Sequence, residues 1–284
     1  MQKDIFFYNG TVKLSFEERD WNGKKIHVYK DEEGNRIESN TGATGIIDKS
    51  TPLMYWATKL MGLYLYQNYI IKAEPITLGS IELAQKKWRD AKEEAADLGT
   101  EIHEWIDKWI NLKKIPPMPE NEKVLNGVNA FLKWHKENQV EFIANERIVY
   151  SKKHNVIGKL DLISYDTDDK FLSLDDFKSS KGIYPEMVLQ TAGYLMMIEE
   201  EIEYLLSIPF KSIKSDDDKK LVELYKKSGG FGKRRILRFG KEDGEFEVRE
   251  FTEHKNDIKG FLSAFALKTR VGELEKELKQ YGKL

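Results

Sequence analysis

Cysteine is absent from this chain of 284 residues. The protein therefore forms no disulfide bond and cannot hold an iron–sulfur cluster through thiolates. A chain of this length needs no such cross-link, because a fold of this size buries roughly three quarters of its unfolded surface. The lack of thiols favours a cytoplasmic protein without an iron–sulfur cofactor.

Long apolar runs are also missing. The longest stretches without a charged residue are Leu60–Ile71 and Met187–Ile198, and both are shorter than the roughly 20 residues of a membrane-spanning helix. The first residues, Met1–Asp4, lack the basic and apolar segments of a signal peptide. We therefore expect a soluble protein with no membrane partner.

A charge excess of one sign is absent from the chain as a whole, since 46 basic residues face 48 acidic ones. The segment 211–238 differs, because it carries ten lysines and arginines and only four acids. Within it, Lys233, Arg234 and Arg235 follow a glycine-rich bend and are predicted to form a basic loop that neutralises DNA phosphates. The alternative is an ordinary solvated loop.

The spacing of apolar residues and turn signals predicts an α/β (α+β) fold. Strands are predicted at 5–8, 11–16, 25–29, 36–39, 140–150, 155–166, 170–178, 204–210, 235–239 and 246–251, and helices at 50–68, 80–112, 122–138, 185–201 and 254–281. This order indicates a central mixed β-sheet flanked by helices. We expect an N-terminal β-rich extension (1–49), a helical region that covers the site (50–138) and a core with a C-terminal helix (139–284).

Two carboxylates are predicted to face each other across the hairpin formed by strands 155–166 and 170–178. If residues 168–169 form a two-residue turn, Asp161 lies opposite Asp176, with Cβ atoms about 4.5–5.5 Å apart. Carboxylates this close repel each other unless a cation lies between them. Their oxygen ligands favour a hard divalent cation, Mg²⁺ above all.

Strand alternation puts Lys178 on the same face as Asp176, whereas Asp175 points to the opposite face and is expected to be structural. A cation held by both carboxylates can stabilise the charge that develops when a phosphodiester bond is hydrolysed. Lys178 would orient or activate the attacking water and balance that charge. The alternative is a surface ion pair between Lys178 and Asp161 or Asp176, which has little consequence.

The same residues stand in motifs that resemble those of the PD-(D/E)XK nuclease superfamily. Gly158-Lys-Leu-Asp161 resembles its G-x-x-D motif, and Asp176-Phe-Lys178 resembles its D-x-K motif. Twelve residues further on, Gln190-Thr-Ala-Gly-Tyr194 resembles the Q-x-x-x-Y motif of its RecB-like branch.

Two upstream segments extend the resemblance. Gly99-Thr-Glu-Ile-His103 is similar to the helical histidine motif of the RecB-like branch, and Glu146 occupies the place of its first acidic motif. The order of the five motifs over 99–194 is more specific than any one of them. Gly42–Asp48 ahead of an aromatic helix is similar to the N-terminal region of the mitochondrial genome maintenance exonuclease family and its phage and bacterial relatives.

The resemblance implies a restriction-endonuclease-like core and a Mg²⁺- or Mn²⁺-dependent deoxyribonuclease. Four residues would ligate the metal, the last through its backbone carbonyl: His103, Asp161, Asp176 and Phe177. Four more complete the implied catalytic set. Lys178 would be the catalytic lysine, Gln190 and Tyr194 would position the site or contact DNA, and Glu146 would ligate through water or hold a second metal.

The resemblance also implies a substrate. Single-stranded DNA degraded from a free end is the expectation, with replication or recombination proteins as further partners. The alternatives are a structure-specific endonuclease of the same superfamily and a DNA-binding protein that keeps the fold without turnover. Because the sequence has no Gly-x-x-x-x-Gly-Lys-Ser/Thr phosphate loop, no nucleoside triphosphate is expected as a ligand.

Overall fold

A computed structural model describes residues 2–21, 24–112 and 114–280. Within these ranges the chain forms nine β-strands, seven α-helices and a few short 3₁₀ or π-helical turns. The first three strands build a separate antiparallel sheet in the order of the chain: β1 (Gln2–Phe7), β2 (Val12–Trp21) and β3 (Lys24–Lys30). The predicted N-terminal β-rich extension therefore has its own sheet.

A mixed sheet of six strands forms the centre of the molecule. Its strands are β4 (Glu38–Ser39), β5 (Val140–Ser151), β6 (Val156–Asp166), β7 (Leu172–Lys178), β8 (Phe231–Phe239) and β9 (Phe246–Phe251). The pairs β5–β6, β6–β7 and β8–β9 are antiparallel, whereas β4–β6 and β7–β8 are parallel. The predicted mixed sheet is thus confirmed, and it also includes β4 from the N-terminal extension.

One edge of β6 is shared by two strands. β5 pairs with β6 along one whole edge, from Val156 to Asp166. The other edge therefore carries both β7, which pairs with residues 162–165, and β4, which pairs with residues 156–157. Between these two partners, residues 158–161 of β6 lie at a split in the sheet.

Seven helices surround the two faces of the sheet: α1 (Asn40–Thr44), α2 (Ser50–Leu65), α3 (Leu78–Leu112), α4 (Glu122–Glu137), α5 (Pro185–Ser207), α6 (Asp216–Ser228) and α7 (His254–Gln280). Local signals explain several of their starts. Asn121 caps α4 by accepting hydrogen bonds from two backbone amides, and Pro185 occupies the first turn of α5, where its missing N–H costs nothing.

The helices pack in two layers. On one face, apolar residues of α3 and α4 pack against Leu162 and Phe177. On the other face, residues of α5, α6 and α7 pack against Ile163 and Leu174. Because side chains alternate along β7, Asp176 lies on the same face as Leu174, toward α5. α3 and α4 pack on the opposite face of β7, where Phe177 lies, and the expectation that the helical region covers the site stays a prediction.

Two further predictions differ from the structure. Residues 204–210 were expected to form a strand, but they complete α5 and a 3₁₀ turn, and the buried Leu205 belongs to the helix face. Residues 216–228 form α6, a helix that the sequence analysis lacked. No helix within the described ranges combines the length and apolar character that a membrane crossing requires.

Candidate active site

The hairpin of β6 and β7 has the predicted register with a different turn. Leu162 pairs with Asp175 and Ile163 with Leu174, which confirms the predicted alignment of the two strands. The prediction of a two-residue turn is wrong, because Asp166 and Phe171 close a four-residue loop through the amide of Asp166. The loop is held by Asp166 Oδ1, which accepts hydrogen bonds from two loop amides.

Asp161 and Asp176 lie one residue beyond the last pair of this ladder, at the split in the sheet. Continuing the register places them opposite each other. At this point the side chain replaces the backbone as a partner, since Asp161 Oδ2 accepts a hydrogen bond of 2.6 Å from the amide of Phe177. At the split, a carboxylate thus takes the place of a backbone partner in the hydrogen-bond ladder between β6 and β7.

Glu146 adds a third carboxylate to this row. The register of β5 against β6 pairs Asn145 with Leu162 and Arg147 with Leu160, so Glu146 lies across from Asp161. Its φ of 49° is left-handed, a conformation that few residues other than glycine adopt. Such strained backbone concentrates at functional sites.

His103 reaches the row from α3. Its Nδ1 lies 3.6 Å from Asp161 Oδ1, and its ring packs edge-on against the ring of Phe177. Gly99 permits this approach, because a Cβ at that position would lie 2.7 Å from Ser179 Oγ, just beyond β7. α3 therefore crosses the carboxyl end of β7 closely enough for its histidine to meet the carboxylates.

Lys178 contributes a positively charged ammonium group beside Asp176. Its ammonium group forms an ion pair with Asp176 Oδ2, and a fifth of its side chain is exposed to solvent. Among the described residues, none donates a hydrogen bond of good geometry to this buried oxygen. Burial opposes the charge of Lys178, but Asp176 and Asp161 more than offset it and raise the pKa of Lys178.

The carboxylates differ in their pKa values. Burial and the neighbouring charge of Asp161 raise the pKa of Asp176 to about 6, although Lys178 opposes the rise. Burial also raises the pKa of Glu146, against the effect of Lys159. Burial acts the same way on Asp161, but His103 and Lys178 hold the pKa of Asp161 below its ordinary value. Two carboxylates of the cluster are thus under-compensated by positive charge.

The same donors fit a divalent cation. His103, Glu146 and Asp161 each offer a ligand atom, and these atoms all lie within 4.8 Å of one another. Asp176 adds a buried carboxylate whose Oδ2 contacts the ammonium group of Lys178. A mixed set of one imidazole nitrogen and several carboxylate oxygens suits Mn²⁺ or Mg²⁺. The pKa of His103, which burial lowers, is raised overall by Asp161, so the carboxylate already attracts positive charge.

One predicted ligand stays a prediction. The backbone amide of Phe177 contacts Asp161, and the aromatic ring lies in the core between α3 and α4. These contacts fix the backbone of Phe177 beside the carboxylates. They do not test the role predicted for its carbonyl oxygen.

Gln190 and Tyr194 connect the site to α1. Gln190 Nε2 donates to Thr41 Oγ1, and the backbone oxygen of Gln190 accepts from Asn40 Nδ2. The ring of Tyr194 is buried against Gly158, where an added Cβ would lie 2.5 Å from Cε1. Burial raises the pKa of Tyr194, and Asp176 adds to this effect. These contacts favour a positioning role for both residues.

The prediction of a basic phosphate-binding loop at Lys233, Arg234 and Arg235 is wrong in its structural premise. The three residues lie in β8, and both arginines are buried. Arg234 forms an ion pair with Asp257 and donates to the backbone oxygen of Val188. Lys233 is paired with a glutamate of β9. The charges of both arginines are therefore neutralised inside the protein, whereas Lys233 is paired at the surface.

Arg235 explains the structural role expected for Asp175. Its guanidinium donates to both carboxylate oxygens of Asp175, at 2.7 and 3.0 Å. Hydroxyl groups of Ser164 and Ser173 donate to the same carboxylate at 2.5 Å. Asp175 and Asp176 are adjacent in sequence, but only Asp176 is left without a complete set of donors.

Two partners of the site were not predicted from the sequence. Lys159 forms an ion pair with Glu146, and strand alternation from Asp161 to Lys159 is the signal that could have identified it. Asn40 holds the backbone of Gln190, but the 150 residues between them leave no local signal. Compared with known proteins, the chain matches no protein-family model and no curated protein.

Proposed function

We propose that the chain is a divalent-metal-dependent deoxyribonuclease that hydrolyses phosphodiester bonds. One observation carries the proposal: Glu146, Asp161 and Asp176 align across three adjacent strands at a split in the sheet, with His103 and Lys178 beside them. Carboxylates gathered this closely repel one another, so a fold that needed only stability would not place three of them in one row.

The residues divide the chemistry between them. His103, Glu146, Asp161 and Asp176 would hold the cation. When bound, the cation supplies Lewis-acid stabilisation of the negative charge that grows on the phosphoryl oxygens. Lys178 is protonated at neutral pH and partly exposed, so it can donate a hydrogen bond to the phosphate or to the attacking water.

Positioning comes from the surrounding residues. The amide of Phe177 fixes the orientation of Asp161, and the ion pair with Lys159 fixes Glu146. Gln190 and Tyr194 hold α5 against α1 and β6 beside this row. Reacting groups that are oriented in advance lower the barrier without rearrangement during the reaction.

A single strand with a free end is the substrate that we propose, in agreement with the resemblance. The first turn of α5 forms an ion pair with Lys49, so α2 begins close to the end of the molecule that carries Gln190. Tyr55, in the second turn of α2, is 74% exposed. Exposed aromatic rings stack on unpaired bases at about 1–3 kcal/mol per base, without sequence preference.

The test uses linear and covalently closed single strands of the same sequence, incubated with Mg²⁺, Mn²⁺ or EDTA. We expect metal-dependent loss of the linear strand and little loss of the circle. Labels at the 5′ and 3′ ends report the direction. Equal rates on the two forms would indicate the structure-specific endonuclease instead, and binding without cleavage in either metal would indicate a non-catalytic DNA-binding protein.

A further inference from the structure

A surface pocket adjoins the carboxylate row at the carboxyl end of β7. Three of its lining residues belong to the candidate active site: His103, Phe177 and Lys178. The others come from α3, from the segment after β7 and from the turn between β8 and β9, and they include Ser179, Ser180 and Lys241. The pocket therefore opens onto the place where a scissile phosphate would lie.

Lys241 is held firmly at the rim of this pocket. The turn that carries it is closed by a hydrogen bond of 2.8 Å from the amide of Gly240 to the backbone oxygen of Glu245. Asn126 of α4 ties the turn down by donating to the backbone oxygen of Lys241 at 3.0 Å. The ammonium group itself donates to the backbone oxygen of Ala95 at 3.0 Å. Its position is thus fixed from three elements.

The charge of Lys241 differs from that of three other lysines near the site. Lys178, Lys159 and Lys123 are each paired with a carboxylate. Within the described part of the chain, Lys241 forms no ion pair within 4.0 Å, and its acceptor is a neutral carbonyl. Its charge is free to neutralise a ligand.

The electrostatic surroundings agree with this contrast. Burial lowers the pKa of Lys241, and Lys123 and Lys181 lower it further, whereas Glu242 and Glu94 oppose this effect. Glu94 is already paired with Lys123. An anion in the pocket would therefore relieve an unfavourable environment.

The segment after β7 supplies hydroxyl groups. Ser179 follows Lys178 directly, and its Oγ faces the glycine of α3 that allows the close crossing. Ser180 Oγ donates to the backbone oxygen of Gly182 at 2.7 Å, so its own hydrogen is already used. An ammonium group and a serine hydroxyl are the donors that contact phosphate oxygens in protein–DNA complexes.

We propose that Lys241, together with the hydroxyl of Ser179, binds a backbone phosphate of the DNA strand next to the scissile phosphate. This inference rests on the proposed function and adds a subsite to it. The contact is independent of base sequence, because it involves only the phosphate. It would also fix the register of the strand relative to Lys178 and the carboxylates.

The test compares Lys241→Gln with Lys133→Gln. The control side chain forms an ion pair with Glu245 of the same turn but does not line the pocket. Binding of a fluorescent single strand is measured by anisotropy in EDTA at several salt concentrations. For Lys241→Gln we expect weaker binding, by about 5–10-fold, and a salt slope smaller by about 0.7, the value for one phosphate contact on a single strand. Lys133→Gln should keep the wild-type slope, and both variants should melt like the wild type.

A second measurement locates the phosphate. Single uncharged methylphosphonate linkages are placed in turn along the strand. At one position next to the cleaved bond, the wild type should lose affinity while Lys241→Gln loses none. An unchanged slope, or equal losses at every position, would overturn the subsite and leave the nuclease proposal standing if the wild type still cleaves. A wild type that neither binds nor cleaves DNA would overturn both.

Discussion

Asp176→Asn separates a metal ligand from a structural ion-pair partner. Asp176 is 2% exposed and lies against Lys178, so either role would bury it. If Asp176 is a metal ligand, its ionised carboxylate is stabilised by the bound cation and is unfavourable in the metal-free protein. As a structural partner, it stabilises the fold through Lys178.

The magnitude follows from the pKa of Asp176, which rises from its ordinary value of 3.8 to about 6. At 1.36 kcal/mol for each pH unit, keeping this carboxylate ionised at neutral pH costs the metal-free protein about 3 kcal/mol. The attraction of Lys178 is already included in the pKa of about 6, so asparagine, which resembles the neutral carboxyl, removes the whole cost. We expect a net gain of about 3 kcal/mol at neutral pH, or a Tm higher by about 6–12 °C.

The pH dependence of stability checks the sign of this difference between variant and wild type a second time. As the pH rises through the interval between 3.8 and about 6, the unfolded chain releases the Asp176 proton before the folded chain does. The wild type therefore loses stability relative to the variant over this interval. The difference in Tm between variant and wild type should be largest at pH 7.5 and should disappear near pH 4.

Thermal melts in EDTA and in Mn²⁺ are the assay. With Mn²⁺ at about 1,000 times its Kd, the wild type should gain about 4.1 kcal/mol and the variant much less, so that their order reverses. Asp175→Asn is the matched control and should lose about 3–5 kcal/mol in both buffers, because it strands the buried Arg235. A variant at Asp176 that is less stable than wild type in EDTA would refute the reasoning and favour a structural ion pair.

Three other substitutions test separate parts of the account. Lys178→Gln should lower the single-turnover cleavage rate by about 10²–10³-fold with little change in DNA affinity, and an equal loss of affinity would argue against a role in the transition state. Arg235→Ala should lower the free energy of unfolding in urea by about 3–5 kcal/mol without changing the salt dependence of DNA binding, whereas the reverse pattern would restore the phosphate-binding prediction. Gly158→Ala should cost about 1–3 kcal/mol in the same assay because its Cβ would overlap the ring of Tyr194, and unchanged stability would mean that the ring can move.

The register of β6 and β7 could be predicted from the sequence because it depends on local alternation. Apolar residues alternate toward one end of both strands, and a slip by one residue would move those of one strand to the other face. The predicted turn length was wrong, but the predicted register was correct. A two-residue turn and a four-residue loop centred on the same point align the strands identically. Carboxylates in such a hairpin are therefore accessible to sequence reasoning.

The burial of charged residues could not be predicted from the sequence in the same way. Counting charges over 211–238 gave a basic loop, but the partner of Arg235 is Asp175, which lies 60 residues away. Two signals for α6 were present in the sequence but were not used. Ser215 ahead of three aspartates is a typical N-cap, and Gly229 is left-handed at the end of the helix. The parallel pairing of β4 with β6, which creates the split in the sheet, has no local signal at all.

The central claim is that the cluster around Asp161 holds the cation required for cleavage. It is tested most directly by titrating Mn²⁺ into a cleavage assay on an end-labelled single strand, with wild type, Asp161→Asn and the control Glu104→Gln. Glu104 follows His103 but pairs with Lys108 on the exposed side of α3. We predict saturable Mn²⁺-dependent cleavage by wild type and control, and none by Asp161→Asn at any concentration. Cleavage by wild type in excess EDTA, or by Asp161→Asn at the wild-type rate, would contradict the account.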